Sequence, residues 1–164
     1  MVKAGLSVKD RYYVKKLITF LNEFKNIDEQ SRVKFISEEL SENSKKQKFG
    51  ETILALIEKS DDLKKFKLYA KVFEMHFTDR CTYDEAIRIC SMIEKAFYSD
   101  LLYICKFKDG SFENQLVAGE LYKVGFLSFS GIDGGELGKE DSGGIIYSIN
   151  KYGLLFKEII EQLI

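Results

Sequence analysis

Apolar residues recur every three or four positions over the first two thirds of the chain, a spacing typical of amphipathic α-helices. From Val8 to Lys25 the pattern places Val14, Leu17, Ile18 and Leu21 on one predicted face. The core positions predicted for the next four helices are Val33, Ile36 and Leu40; Phe49, Ile53, Leu56 and Ile57; Phe66, Tyr69, Ala70, Phe73 and Phe77; and Ala86, Ile89, Cys90, Ile93 and Phe97. A sixth stretch, Asp100 to Phe107, is either continuous with the fifth or kinked from it. No proline interrupts them.

Residues that cap helix N-termini stand between these stretches. The predicted caps are Asp28 for the second helix, the capping box of Ser44 and Gln47 for the third, Ser60, Asp61 and Asp62 for the fourth, and the capping box of Thr82 and Glu85 for the fifth. A capping box pairs a hydroxyl with the backbone three residues on and a carboxylate or amide with the backbone behind it. Short connections between such helices predict a bundle packed in sequence order.

The composition changes after residue 108. The remaining pattern predicts a helix from Glu113 to Val124 closed by Gly125, a strand from Phe126 to Ser130, a glycine-rich loop from Gly131 to Gly144, a strand from Ile145 to Ile149, and a final helix capped by Asn150. The predicted fold is therefore mainly α: a helical bundle over residues 1–108, then a winged-helix-like unit with a two-stranded β-hairpin over 109–164. We expect the two parts to share one core.

Composition is that of a globular protein, since 45% of the 164 residues are hydrophobic and 31% are charged. No apolar run approaches the roughly 20 residues that cross a bilayer, and no signal segment opens the chain. Cys81, Cys90 and Cys105 form no C-x-x-C pair. This cysteine usage predicts a reducing, cytoplasmic location.

Charge is divided unevenly along the chain although the net charge is −1. Residues 110–164 contain four Lys against eight Asp and Glu, and the helix expected to read DNA in a winged helix offers Lys123 alone. Nucleic-acid binding through this unit is therefore disfavoured. The lysine runs at 15–16, 45–48 and 64–67 leave an alternative, a nucleic-acid-binding regulator that uses the basic helical face. The same runs suit peripheral contact with an anionic membrane.

His76 is the only histidine, so a nucleophilic triad or a zinc site would have to include it. Asp79, Cys81 and Cys90 are the candidate companions, and they do not complete the spacing of either kind of site. We therefore predict no catalytic residues, no metal ligands and no cofactor, and His76 is interpreted as a surface or boundary histidine near a helix end. An unrecognised hydrolase that uses His76 and acidic residues is the least supported alternative.

An acidic pattern partly matches a calcium-binding loop: Asp109, Ser111, Glu113 and Glu120 occupy its first, third, fifth and twelfth positions. Asn114 stands where the sharp turn needs glycine. The favoured interpretation is a turn at Gly110 with Ser111 as the N-cap of the following helix.

Several segments are shared with one group of proteins. They are Lys3–Arg11, Gly50-Glu51, Ser60–Lys64, Thr82–Ala86, the pattern Leu121-x-x-x-Gly125-Phe126-Leu127, and Tyr147-x-Ile149-Asn150-x-x-Gly153-x-x-Phe156. In these the chain resembles uncharacterised bacterial and phage proteins, and its C-terminal patterns are similar to winged helices generally. The resemblance implies a membrane-associated segment upstream of Lys3 and a cytoplasmic location for this part. It implies no activity.

The sequence thus favours a non-enzymatic protein-interaction domain with an unidentified protein partner. Tyrosines expected at partly exposed positions, Tyr12, Tyr13, Tyr98 and Tyr122, favour an interface weakly. The pattern identifies no binding residues and no oligomeric state.

Overall fold

A computed structural model describes residues 7–110, 113–135 and 143–163. Within these ranges the chain forms eight helices and one antiparallel hairpin, which confirms the predicted mainly α fold with a C-terminal two-stranded sheet. The elements are α1 (Val8–Lys25), α2 (Glu29–Glu38), α3 (Asn43–Lys59), α4 (Lys65–Phe77), α5 (Tyr83–Lys95), α6 (Tyr98–Tyr103), α7 (Gln115–Val124), β1 (Leu127–Asp133), β2 (Gly144–Ile149) and α8 (Lys151–Glu161). None of these helices is long and apolar enough to cross a membrane, within the ranges described.

Backbone contacts divide the chain into two compact units, the first ending at Ala86 and the second beginning at Ile87. This division falls inside α5, whereas the composition changes after residue 108. Contacts and composition measure different properties, so the predicted boundary at 108/109 and the predicted shared core both stay predictions.

The first unit is organised around α4, whose predicted core positions are all buried. Helices α1 and α2 pack on α4, and α1 also packs on α3. Aromatic rings join them: Phe24 lies 5.8 Å from Phe73 and 5.6 Å from Phe77, and Phe35 stacks on Phe77 at 4.3 Å between ring centroids. Ring pairs at such distances add stabilisation beyond the area they bury.

The predicted core faces of α1 and α2 are mostly wrong, since only Leu17 and Leu40 among the predicted positions are half-buried. Val14, Ile18 and Leu21 are 39%, 53% and 54% exposed, while Phe20 on the other side of α1 is buried. In α2, Phe35 is buried at 5% exposure, whereas the predicted core residues Val33 and Ile36 are 57% and 51% exposed. Both helices turn a phenylalanine inward, which removes more apolar area from water than a smaller aliphatic side chain does.

Four predicted end signals are confirmed. Asp28 accepts a hydrogen bond from the Ser31 N–H and Asn150 accepts from the N–H of Gly153. Gly125 ends α7 in the left-handed region, at φ 106°. In the capping box of α5, the Glu85 N–H donates to the Thr82 hydroxyl (3.3 Å) and the Thr82 N–H donates to the Glu85 carboxylate (2.9 Å).

Two predicted caps are wrong. Helix α3 begins one residue before Ser44 and has Glu42 at its N-cap without a side-chain cap, because the Gln47 amide donates to Glu51 instead. Helix α4 has Lys64 at its N-cap, also without a side-chain cap. Asp62 instead accepts from the Lys64 N–H in the turn before the helix, at 2.8 Å.

Replacing the Thr82 and Ser44 hydroxyls tests which of them caps a helix. Thr82→Ala should lower the free energy of unfolding by about 1 kcal/mol, because a helix N-terminal N–H loses its acceptor. Ser44→Ala should leave stability unchanged, since its hydroxyl caps no backbone group and lies 3.5 Å from Glu42. Denaturant unfolding of both variants measures the difference, and equal losses would contradict the assignment.

In the second unit several predicted bounds shift. Helix α6 is separate from α5 and shorter than predicted, Phe97 between them is exposed, and α7 begins at Gln115 with Asn114 at its N-cap. Leu116, an apolar residue of α7, is exposed as well. Ser111, the predicted N-cap, lies outside the described residues.

Strand β1 extends to Asp133, into the predicted glycine-rich loop, whose residues 136–142 lie outside the described ranges. The register pairs Phe129 with Tyr147 and Ile132 with Ile145, with a bulge between Phe129 and Gly131. Because the bulge adds one residue to β1, Phe129 and Ile132 share a face of the sheet although they are three positions apart. The strand prediction missed this extension since strict alternation breaks at the bulge.

Candidate functional site

A pocket of about 380 Å³ opens in the first unit where α2 ends and α3 begins. We call it the α2–α3 pocket, and its lining residues are Phe35, Glu38, Glu39, Leu40, Lys45, Lys48, Phe49 and Tyr83. The lining combines an apolar floor with charges of both signs. Pockets of this size and character accept apolar side chains or small ligands.

The floor consists of aromatic rings held by the core. Phe35 lies 5.2 Å from Phe49, edge to face, and Phe49 lies 6.3 Å from the ring of Tyr83. Phe35 is fixed from behind by its stacking on Phe77. Since these rings come from α2, α3 and α5, the folded unit assembles the floor before any ligand binds.

The rim of the pocket carries opposite charges on its two sides. Glu38 and Glu39 stand at the end of α2, and Lys45 and Lys48 stand in the first turns of α3. Lys45 forms an ion pair with Glu42 at 3.3 Å. Among the described residues Lys48 has no ion-pair partner, so its ammonium group can meet an acidic ligand.

His76, on α4, lies beside the α2–α3 pocket. It connects α4 to the end of α2 and to the segment before α5. It lies near the end of α4 as predicted, but it is only 5% exposed, so the predicted surface or boundary position is wrong. Its Nδ1 lies 3.0 Å from the Cys81 carbonyl oxygen and its Nε2 3.0 Å from the Glu39 carboxylate. A carbonyl oxygen can only accept, so Nδ1 carries a proton and donates it. His76 thus fixes Glu39 at the rim.

His76 also lines a second pocket, of about 490 Å³. Its polar lining groups are already engaged: Asp79 pairs with Lys34 at 2.7 Å, and Thr82 and Glu85 form the capping box. Burial, and secondarily the charge of Glu85, raises the pKa of the Cys81 thiol to about 11. A thiol with that pKa is protonated at neutral pH and is a poor nucleophile. This cluster is suited to holding structure and not to activating a nucleophile.

The structure gives no geometric support to the zinc-site and calcium-loop alternatives. Within residues 7–110, 113–135 and 143–163, no three His, Cys, Asp or Glu side chains are grouped to hold an ion. Of the calcium-loop positions, Asp109 accepts from the Ile149 N–H at 2.8 Å and Glu120 pairs with Lys123 at 2.6 Å. Ser111 lies outside the described residues, while Gly110 adopts a positive φ of 73°, as the predicted turn requires.

In α7, the candidate DNA-reading helix, the lysine is already held in an ion pair. Lys123, the one cation of α7, is neutralised by Glu120 on the same helix. Phosphate contacts rely on cations, so this pairing weakens the face that a winged helix would use.

Sequence reasoning singled out His76 and Cys81 but missed Phe35, Glu39 and Lys48 as members of one site. Phe35 and Phe49 are each the single aromatic residue of their helix, and this composition was the available signal.

Comparisons of the chain with protein-family models, curated proteins and solved structures found no match. The function is therefore argued from the α2–α3 pocket itself.

Proposed function

We propose that the chain is a non-enzymatic protein-interaction domain whose α2–α3 pocket binds a large apolar side chain of a partner protein. The observation that carries this proposal is the preformed aromatic floor beside an ammonium group, Lys48, that has no ion-pair partner among the described residues. Interfaces concentrate binding energy where an apolar anchor fills such a pocket. Lys48 selects a partner segment with an acidic residue next to the anchor.

Selection from a random-peptide library on the purified protein tests this role. We expect enriched peptides to combine an aromatic or large aliphatic residue with a nearby Asp or Glu. Lys48→Glu should weaken a selected peptide about tenfold or more, because an attractive rim charge becomes repulsive.

Lys46→Glu is the matched control, since Lys46 is exposed on the same helix but does not line the pocket. An equal loss of peptide affinity in both variants would indicate only a general charge effect. Selected peptides that bind without contacting Leu40 or Phe49, judged by Leu40→Ser and by backbone amide shifts, would contradict the pocket assignment.

A nucleic-acid-binding regulator remains the second candidate, favoured by the exposed Lys45, Lys46 and Lys48 in the first turns of α3. The two roles differ in salt dependence. Duplex DNA held by these lysines would dissociate steeply as salt rises, whereas a pocket-bound apolar anchor would not.

A reducing compartment, the cytoplasm, is the location we propose. Its support is that Cys81, Cys90 and Cys105 are all free thiols.

A further inference from the structure

Helix α1 is apolar on two sides, and only one of them is used by the core. Phe20 lies on the buried side, whereas Val14, Ile18 and Leu21 form an exposed row at positions i, i+4 and i+7. We propose that this α1 outer row docks the domain on an anionic membrane surface. The inference is independent of the α2–α3 pocket, because none of the three residues lines it.

Charge around the row matches such a surface. Lys15 stands three residues before Ile18 and Lys25 four residues after Leu21, and both are exposed. Residues three or four apart on a helix are neighbours, so each lysine borders the row. The acidic residue at the N-terminal end of the row, Asp10, is engaged in the capping box of α1, where it accepts from the N–H and hydroxyl of Ser7. An apolar row bordered by lysines is typical of helices that lie in the bilayer interface.

The cations beside the row favour a lipid surface as its occupant. A bilayer interface receives an apolar row of this kind among its acyl chains while the flanking cations meet the headgroups.

Fluorescence can report the insertion directly, because the chain has no tryptophan. Ile18→Trp should shift its emission to shorter wavelength with vesicles of equal phosphatidylcholine and phosphatidylglycerol, and not with phosphatidylcholine alone. Val33→Trp on α2, at a position that is 57% exposed, is the matched reporter and should show no shift. A shift at both positions, or at neither, would overturn the proposal.

Flotation with the same vesicles separates the apolar and electrostatic contributions. Ile18→Ser/Leu21→Ser should abolish binding, and Lys15→Gln/Lys25→Gln should lower the partition coefficient about 25-fold, about fivefold per cation. Exposed control pairs, Val33→Ser/Ile36→Ser and Lys46→Gln/Lys95→Gln, should bind as the parent protein does. Binding that survives loss of the row, or equal binding to neutral vesicles, contradicts the proposal. A parent protein that binds neither vesicle would likewise contradict it.

Discussion

Gly153→Ala should lower the free energy of unfolding by about 3 kcal/mol, because the new methyl group has no space. A Cβ at this position of α8 would lie 2.2 Å from the Phe126 carbonyl oxygen and 2.7 Å from Cγ1 of Ile149. The oxygen belongs to the backbone and cannot swing aside as a side-chain tip can. Relief would require moving α8, which separates the buried, stacked rings of Phe126 and Phe156 at 4.6 Å.

Gly119→Ala is the matched control in the same unit. The added Cβ would meet only the Tyr147 hydroxyl at 3.5 Å, an ordinary contact. Alanine in the interior of a helix is about 0.5–1 kcal/mol more favourable than glycine, so this variant should be slightly more stable. Denaturant unfolding of the two variants should give shifts of opposite sign. Shifts of the same sign would show that the close approach of α8 to Phe126 is not as described.

Asp61→Asn should lower the free energy of unfolding by about 2 kcal/mol, because it removes an ionic partner of a buried lysine. The Lys65 side chain is fully buried, and its ammonium group lies 2.6 Å from the Asp61 carboxylate, whose side chain is 60% exposed. The buried Lys65 ammonium group is therefore balanced by a carboxylate that is itself partly exposed to solvent. An amide oxygen accepts the same hydrogen bond but brings no charge.

The stability difference between the parent protein and Asp61→Asn should depend on pH. Burial alone would raise the pKa of Asp61, but the hydrogen bond and charge of Lys65 outweigh burial, and the net pKa lies below the ordinary value of 3.8. A carboxyl with a lowered pKa stabilises the folded state above its unfolded pKa, and this stabilisation is lost as the pH falls through the folded value. The parent protein and Asp61→Asn should thus differ at neutral pH and converge well below pH 3.8.

Lys65→Met separates the ion pair from other roles of Asp61. In this background the charge that needs Asp61 is gone, so adding Asp61→Asn should change stability little. A full loss in both backgrounds, measured by denaturant unfolding, would mean that Asp61 acts through the backbone and not through Lys65.

The parts of the fold that the sequence predicts depend on neighbours three or four residues apart. The bounds of α1, the capping box of Thr82 and Glu85 and the turn at Gly125 all follow from such local pairs. Ser44 shows the limit of this reasoning, because its capping pattern competes with a Gln47–Glu51 pair one turn further on. The bulge in β1 similarly hides the alternation that would have predicted its full length.

The candidate site was less predictable because its members are distant in sequence. Glu39 and His76 are 37 positions apart, and Phe35 and Phe49 come from different helices. No periodic pattern in either segment shows that these side chains meet.

By itself, the sequence determined the mainly α class, the hairpin near the C-terminus and most helix ends, because propensity, capping and spacing act within a few residues. Only the tertiary structure decided which of the two apolar sides of α1 is buried. Both sides satisfy the helical period, and the choice follows from the rings that α4 presents to Phe20 and Phe24. That choice leaves Val14, Ile18 and Leu21 on the surface, where they remain available for binding.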